Sequence, residues 1–125
     1  MSTVFEYAVL RIVPRPERGE VMNVGVLVHC RAVDFLECRL HVDEERLRAL
    51  DPALDLAGVR AALHAVARLC HGGDEAGQAG GESPGSRFRW LTAPRSTVVQ
   101  PGPVHPGITD DPAAEVERLL DLLVR

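Results

Sequence analysis

The chain has 125 residues, of which 46% are hydrophobic and 26% charged, with a formal net charge of −4. That length suits one globular domain, and the acidic balance argues against nucleic acid or an anionic membrane as a general partner. Every one of its 14 basic residues is arginine, and with only 4% aromatics the core must be built mainly from Val, Leu and Ala; the heavy Ala, Gly and Pro usage suggests a GC-rich bacterial genome.

Residues 4–13, VFEYAVLRIV, read as a strand ended by Pro14-Arg15-Pro16. No apolar run approaches the roughly 20 residues of a membrane helix. The first stretch carries Glu6 and no basic leader, so a cytoplasmic protein is expected. Residues 21–30 alternate, with Met22, Val24, Val26, Val28 and Cys30 opposing Asn23, Gly25, Leu27 and His29. Leu36, Cys38, Leu40 and Val42 repeat the pattern. Period two predicts strands with one covered face and one more polar face. If both apolar sets share the covered face, paired positions sum to an even number. That predicts a three-residue loop at 32–34, with Cys30 opposite Leu36 and Val28 opposite Cys38. Cys30 and Cys38 would then share a face without being opposed, and a disulfide is not expected between them.

Asp43-Glu44-Glu45 marks a short helix to about Leu50. A longer helix follows over roughly 55–71, where Leu56, Val59, Leu63, Val66 and Cys70 form one apolar stripe and Gly72-Gly73 stop it. Residues 72–86, rich in Gly and Ser without apolar anchors, predict a flexible loop. Residues 87–93 suit a short helix or an extended segment. Ser96–Gln100 suit a strand, and 101–109 a turn-rich excursion. Asp111-Pro112 open a last helix with Val116, Leu119, Leu120 and Leu123 as its buried stripe. The expected fold is a single α+β domain over 1–125: an antiparallel sheet with an N-terminal β-meander, covered on one face by two or three helices.

Two clusters carry candidate chemistry. In the first, Arg87, Arg89 and Arg95 surround Trp90, the only tryptophan, with Ser96, Thr97, His105 and Thr109 following. Guanidinium groups beside an indole can grip a phosphate, carboxylate or base by forked hydrogen bonds and stacking; the plainer reading has Trp90 and Phe88 plugging the core. In the second, Arg11, Glu20, Asn23 and Gly25 are brought close by the first hairpin. They make either an Arg–Glu pair with a turn amide or the floor of a binding site. A Ser96 or Thr97 nucleophile with His105 as base would make a hydrolase or nuclease, although no carboxylate can be named as its third member. No metal-ligand spacing, Walker, Rossmann or GxSxG pattern occurs, so neither metal nor cofactor is expected.

YAVLRIVPRPERGEVMNVGVLVHC, residues 7–30, and RFRWLTAPRSTVVQPGPVHPGITDDP, residues 87–112, together resemble the Domain of Unknown Function 3037 family. The likeness spans most of the chain, with the Gly-rich loop as a variable insert. Arg11, Glu20, Asn23, Gly25, Arg87, Trp90, Arg95, Ser96, His105, Gly107 and Thr109 match its motif positions, and no catalytic role travels with them. The resemblance implies a context rather than a reaction, since such proteins are often encoded beside HipA-like kinases in actinobacteria. The expected function is a non-catalytic binding or accessory module. Its partner would be a HipA-like kinase or an anionic ligand, gripped by Arg11, Glu20, Asn23, Arg87, Trp90, Arg95, Ser96, His105 and Thr109 acting as one site. A small hydrolase or nuclease, or nucleic-acid binding through Arg87–Arg95, are the alternatives.

Overall fold

A computed structural model describes residues 2–125, apart from the side chain of Glu75. Three long strands come first: β1 (Thr3–Ile12), β2 (Met22–Cys30) and β3 (Phe35–Leu40). Helices α1 (Glu44–Leu50), α2 (Leu56–His71) and α3 (Pro84–Leu91) follow, then the short strands β4 (Val99–Pro101) and β5 (His105–Thr109), and α4 (Pro112–Leu123). All strand pairs are antiparallel in the order β3-β2-β1-β4, with β5 also pairing β1. β4 and β5 therefore lie end to end along one edge of β1, and the residues expected to form only turns at 105–109 are a strand. No described helix is long and apolar enough to cross a membrane.

The helices start where capping chemistry places them. Asp43, Asp55, Ser83 and Asp111 each accept the amide of the residue three positions on, satisfying one of the donors a helix start leaves free. Pro84 and Pro112 occupy first helical positions, where the missing amide costs nothing. α3 thus begins inside the stretch expected to be a loop. Ser83-Pro84 is its start signal, and Phe88 and Leu91 supply the buried anchors that residues 72–86 lack. The remainder of that stretch, Asp74–Gly81, winds in 3-10 turns beside α2.

Three helices cover one face of the sheet, as the sequence led us to expect. Leu10, Ile12 and Leu27 pack there with Leu47 of α1, Val59 and Leu63 of α2, and Phe88 and Leu91 of α3. The opposite face carries α4, whose Val116, Leu119 and Leu120 bury Phe5, Val26, Val28 and Cys30. β2 runs between the two layers and is buried at every position from Val24 to Cys30.

This second layer overturns the register expected for the β2–β3 hairpin. Cys30 lies opposite Phe35, Val28 opposite Glu37 and Leu27 opposite Cys38. Val26, Val28 and Cys30 face α4, whereas Leu36, Cys38 and Leu40 pack with the α1–α3 layer. The two apolar sets belong to opposite faces, so pairs sum to odd numbers. The loop spans four residues instead of three. It closes through the Asp34 amide on the Arg31 carbonyl (3.2 Å), with Asp34 at φ 53°, a left-handed conformation that aspartate tolerates. Cys30 and Cys38, expected to share a face, lie on opposite ones, and all three cysteines are free.

A bulge between Leu10 and Arg11 skips Val24, so Gly25 faces Leu10 and Asn23 faces Arg11. What approaches Gly25 closely is β3 itself. A methyl group there would lie 2.7 Å from Leu40 Cδ2 and 2.8 Å from the Arg39 carbonyl oxygen.

Candidate functional site

The arginines around Trp90 point three ways. Arg87 turns inward to the end of α2, where it donates to the carbonyls of Glu82 and Cys70 and its guanidinium packs against Gly72. Gly72 has φ 79°, and a Cβ there would meet Arg87 Cζ at 2.9 Å. Arg89 reaches across to β1 and forks onto Glu6, with contacts of 2.7 and 3.2 Å. Its hydrogen bonds hold the Glu6 carboxyl below the usual carboxylate range. Oε1 of the same carboxyl lies 3.7 Å from Nδ1 of His29. His29 is 5% exposed and stacks on Phe88 with ring centroids 5.0 Å apart. Burial pushes the His29 imidazole below its ordinary pKa despite Glu6.

Arg95 stays with Trp90. Its Nη2 donates to the Trp90 carbonyl at 2.7 Å and its Nε to the Ala93 carbonyl at 3.4 Å, which binds the turn after α3 to the helix end. Phe88 is wholly buried, but Trp90, one turn face away, is 59% exposed. The indole and Arg95 stand on the wall of a groove of about 830 Å³, with Ala62, Val66 and Leu69 of α2 opposite and Thr97 and Val98 beside them. A smaller cleft of about 250 Å³ is lined by Ala79, Glu82, Ser86 and Arg87 together with the indole. Groove volumes of this order suit a drug-sized molecule or a few side chains of a peptide.

The acids in the groove are already engaged. Asp55 caps α2 and Asp51 accepts the Ala53 amide. Among the described residues, neither Arg95 nor Arg68, the groove's cations, has a carboxylate within ion-pair distance.

The second cluster lies on the other side of the sheet. Arg11 and Asn23 are directly opposed, and Gln100 faces Arg11 from β4. Asn23 Nδ2 donates to the Leu123 carbonyl of α4 at 3.0 Å, which places this trio on the α4 face. His105 shares that face opposite Tyr7, their rings 5.4 Å apart. Glu20 pairs with Arg18, not Arg11. Thr109 is buried, and its hydroxyl accepts the Asp111 amide at the approach to α4.

The proposed nucleophile and base do not meet. Val98 accepts the Val13 amide while His105 pairs with Tyr7, six residues back along β1, or about 20 Å at strand rise. Ser96 precedes Val98, and the Thr97 hydroxyl donates to the Val99 carbonyl at 2.7 Å. This register removes the Ser96–His105 hydrolase. The fold joins Trp90 with Arg95 on one side and Arg11 with Asn23 on the other, where His105 shares the face but pairs with Tyr7, four residues away along β1. Arg87, Glu20, Ser96 and Thr109 belong to neither group.

The groove's α2 wall was not anticipated. Val66, which the helical spacing assigns to the buried apolar stripe, lines the groove together with Ala62, Ala65 and Leu69. The Glu6–His29 contact had a signal, since a lone carboxylate in an apolar strand stands opposite a histidine once β1 and β2 pair.

No curated protein and no solved structure matches the chain. A family model described as "Protein of unknown function (DUF3037)" matches residues 7–124, nearly the whole sequence. The chain belongs to this DUF3037 family.

Proposed function

We propose that this protein is a non-catalytic binding module that seats a partner's peptide segment in the groove between α2 and the turn after α3. The segment carries an apolar side chain next to a carboxylate. The apolar group packs on Trp90, Val66 and Leu69, and the carboxylate meets Arg95. The observation that carries this reading is an indole 59% exposed at the lip of an 830 Å³ groove, beside a guanidinium without a carboxylate partner among the described residues. Exposed Trp and Arg are the side chains most often found to dominate binding energy. The Trp90 carbonyl already engages Arg95, so little further ordering opposes binding.

A HipA-like kinase, the neighbour that the family resemblance implies, is the first partner to test. Nucleic acid fits less well, because Arg87 and Arg89 are committed to Cys70, Glu82 and Glu6. The experiment is co-purification with a HipA-like kinase from the same genome, using wild type, Trp90→Ala and Arg95→Ala. Each substitution should weaken the complex at least tenfold, consistent with about 1.4 kcal/mol or more at an interface anchor. Equal retention by all three proteins would refute the groove as the docking site.

A further inference from the structure

On the sheet face opposite the groove, we infer that Arg11, with the side-chain amides of Asn23 and Gln100, forms a binding site for a small oxyanion, a carboxylate or a phosphate. The chain's 14 arginines are disposed in different ways. Eight of them have a carboxylate within 4 Å, among them Arg18, Arg39, Arg60 and Arg89. Arg87 and Arg95 donate to backbone carbonyls. Arg31, Arg46 and Arg68 are exposed to solvent. Arg11 is half-buried, and its Nε is shut away from solvent with no acceptor among the described residues, as is the Nε of Arg87. Arg87 nevertheless places its other nitrogens on the carbonyls of Glu82 and Cys70, whereas no nitrogen of Arg11 has an acceptor or a carboxylate partner among the described residues. A charge taken partly out of water is costly unless it is paired, and a buried donor without an acceptor adds to that cost.

The surroundings of Arg11 fit an anion. Its two cross-strand neighbours on this face are Asn23 and Gln100, both carrying amide donors. Asn23 spends one amide hydrogen on the Leu123 carbonyl and retains the second. α4 lies over β2 and β3. Arg11 and Gln100, one and two strands further out, therefore sit beside the helix and not beneath it. Gly102 donates its amide to the Val9 carbonyl at 2.7 Å and brings bare backbone alongside the guanidinium. A methyl group there would stand 3.8 Å from Arg11 Nη1. A guanidinium fork flanked by two amides matches the oxygens of a carboxylate or phosphate and offers no acceptor carboxylate to repel them.

The test is a side-chain NMR titration at constant ionic strength, with inorganic phosphate and acetate as separate probes and chloride as the control. The Arg11 Nε–Hε resonance and the side-chain amides of Asn23 and Gln100 are followed. A saturable shift of these signals with one oxyanion, absent with chloride, is expected, and whichever probe saturates identifies the class. Arg11→Gln should weaken that response at least tenfold, read at the Asn23 amide. Gln100→Ala, at a half-exposed edge position, should weaken it severalfold and decides the matter if Arg11→Gln does not fold. No saturation with either probe would overturn the assignment, as would unchanged affinity in the variants.

Discussion

Replacing Phe88 by alanine removes the side chain that fixes α3, and with it Trp90 and Arg95, to the sheet. Phe88 is fully buried, stacks on His29 at 5.0 Å and belongs to the cluster formed with Leu27, Leu63 and Leu91. α3 has only two buried anchors, Phe88 and Leu91. Loss of a buried phenyl ring costs about 3–5 kcal/mol, a large share of the roughly 5–15 kcal/mol that holds a domain folded. At about 4 °C per kcal/mol for a chain of this size, Tm should drop by about 12–20 °C. Trp90→Ala, two residues along but 59% exposed, should cost about 1 kcal/mol or less. Urea unfolding followed by far-UV circular dichroism measures both variants. A Phe88→Ala loss under about 1 kcal/mol, or a Trp90→Ala loss as large as that of Phe88→Ala, would refute the assignment of core and groove faces on α3.

Two further outcomes follow from buried titratable groups. Burial lowers the His29 pKa from its ordinary 6.5, so the unfolded chain binds this proton more tightly than the folded one. Stability should therefore fall as pH drops below about 6.5 and level off once the lowered folded value is passed. Urea midpoints from pH 8 to 5.5 should show the decline in wild type and lose it in His29→Gln. Stability that rose on acidification in this window would mean that the Glu6 carboxylate outweighs burial. For the cysteines, burial pushes Cys38 up to about 12 and Cys70 upward as well, while Cys30 is wholly buried. Ellman's reagent at pH 8 should label none of them promptly in the native protein and all three in urea; fast native labelling would contradict the core positions given to them.

Much of the local structure was legible because short-range physics sets it. Alternation in β2 and β3, the three- and four-residue spacing in α2, and Asp111-Pro112 at α4 each act within a few residues. Their elements lie within two or three positions of expectation. α3 was half-legible: Ser83-Pro84 is an ordinary cap and first position, obscured by the glycines before it. β5 was hidden because His105 and Pro106 carry no strand signal, and its pairing comes from lying along the edge of β1. The candidate site was legible as residue types but not as places. Arg11 and Asn23 are opposed as the hairpin implies, yet Glu20 turns to Arg18 and the three arginines of 87–95 separate.

The amino-acid order alone determined that this chain makes a β-meander, an amphipathic helix behind it and a capped helix at its end, since each depends on neighbours a turn or a strand pleat away. Tertiary structure alone decided that α4 covers the second face, which moved Val26, Val28 and Cys30 away from Leu36, Cys38 and Leu40 and shifted the hairpin by one residue. It also decided that Phe88 enters the core while Trp90 opens onto a groove. Periodicity marks which side chains share a side of an element. Which side meets another layer depends on contacts between residues far apart in the chain.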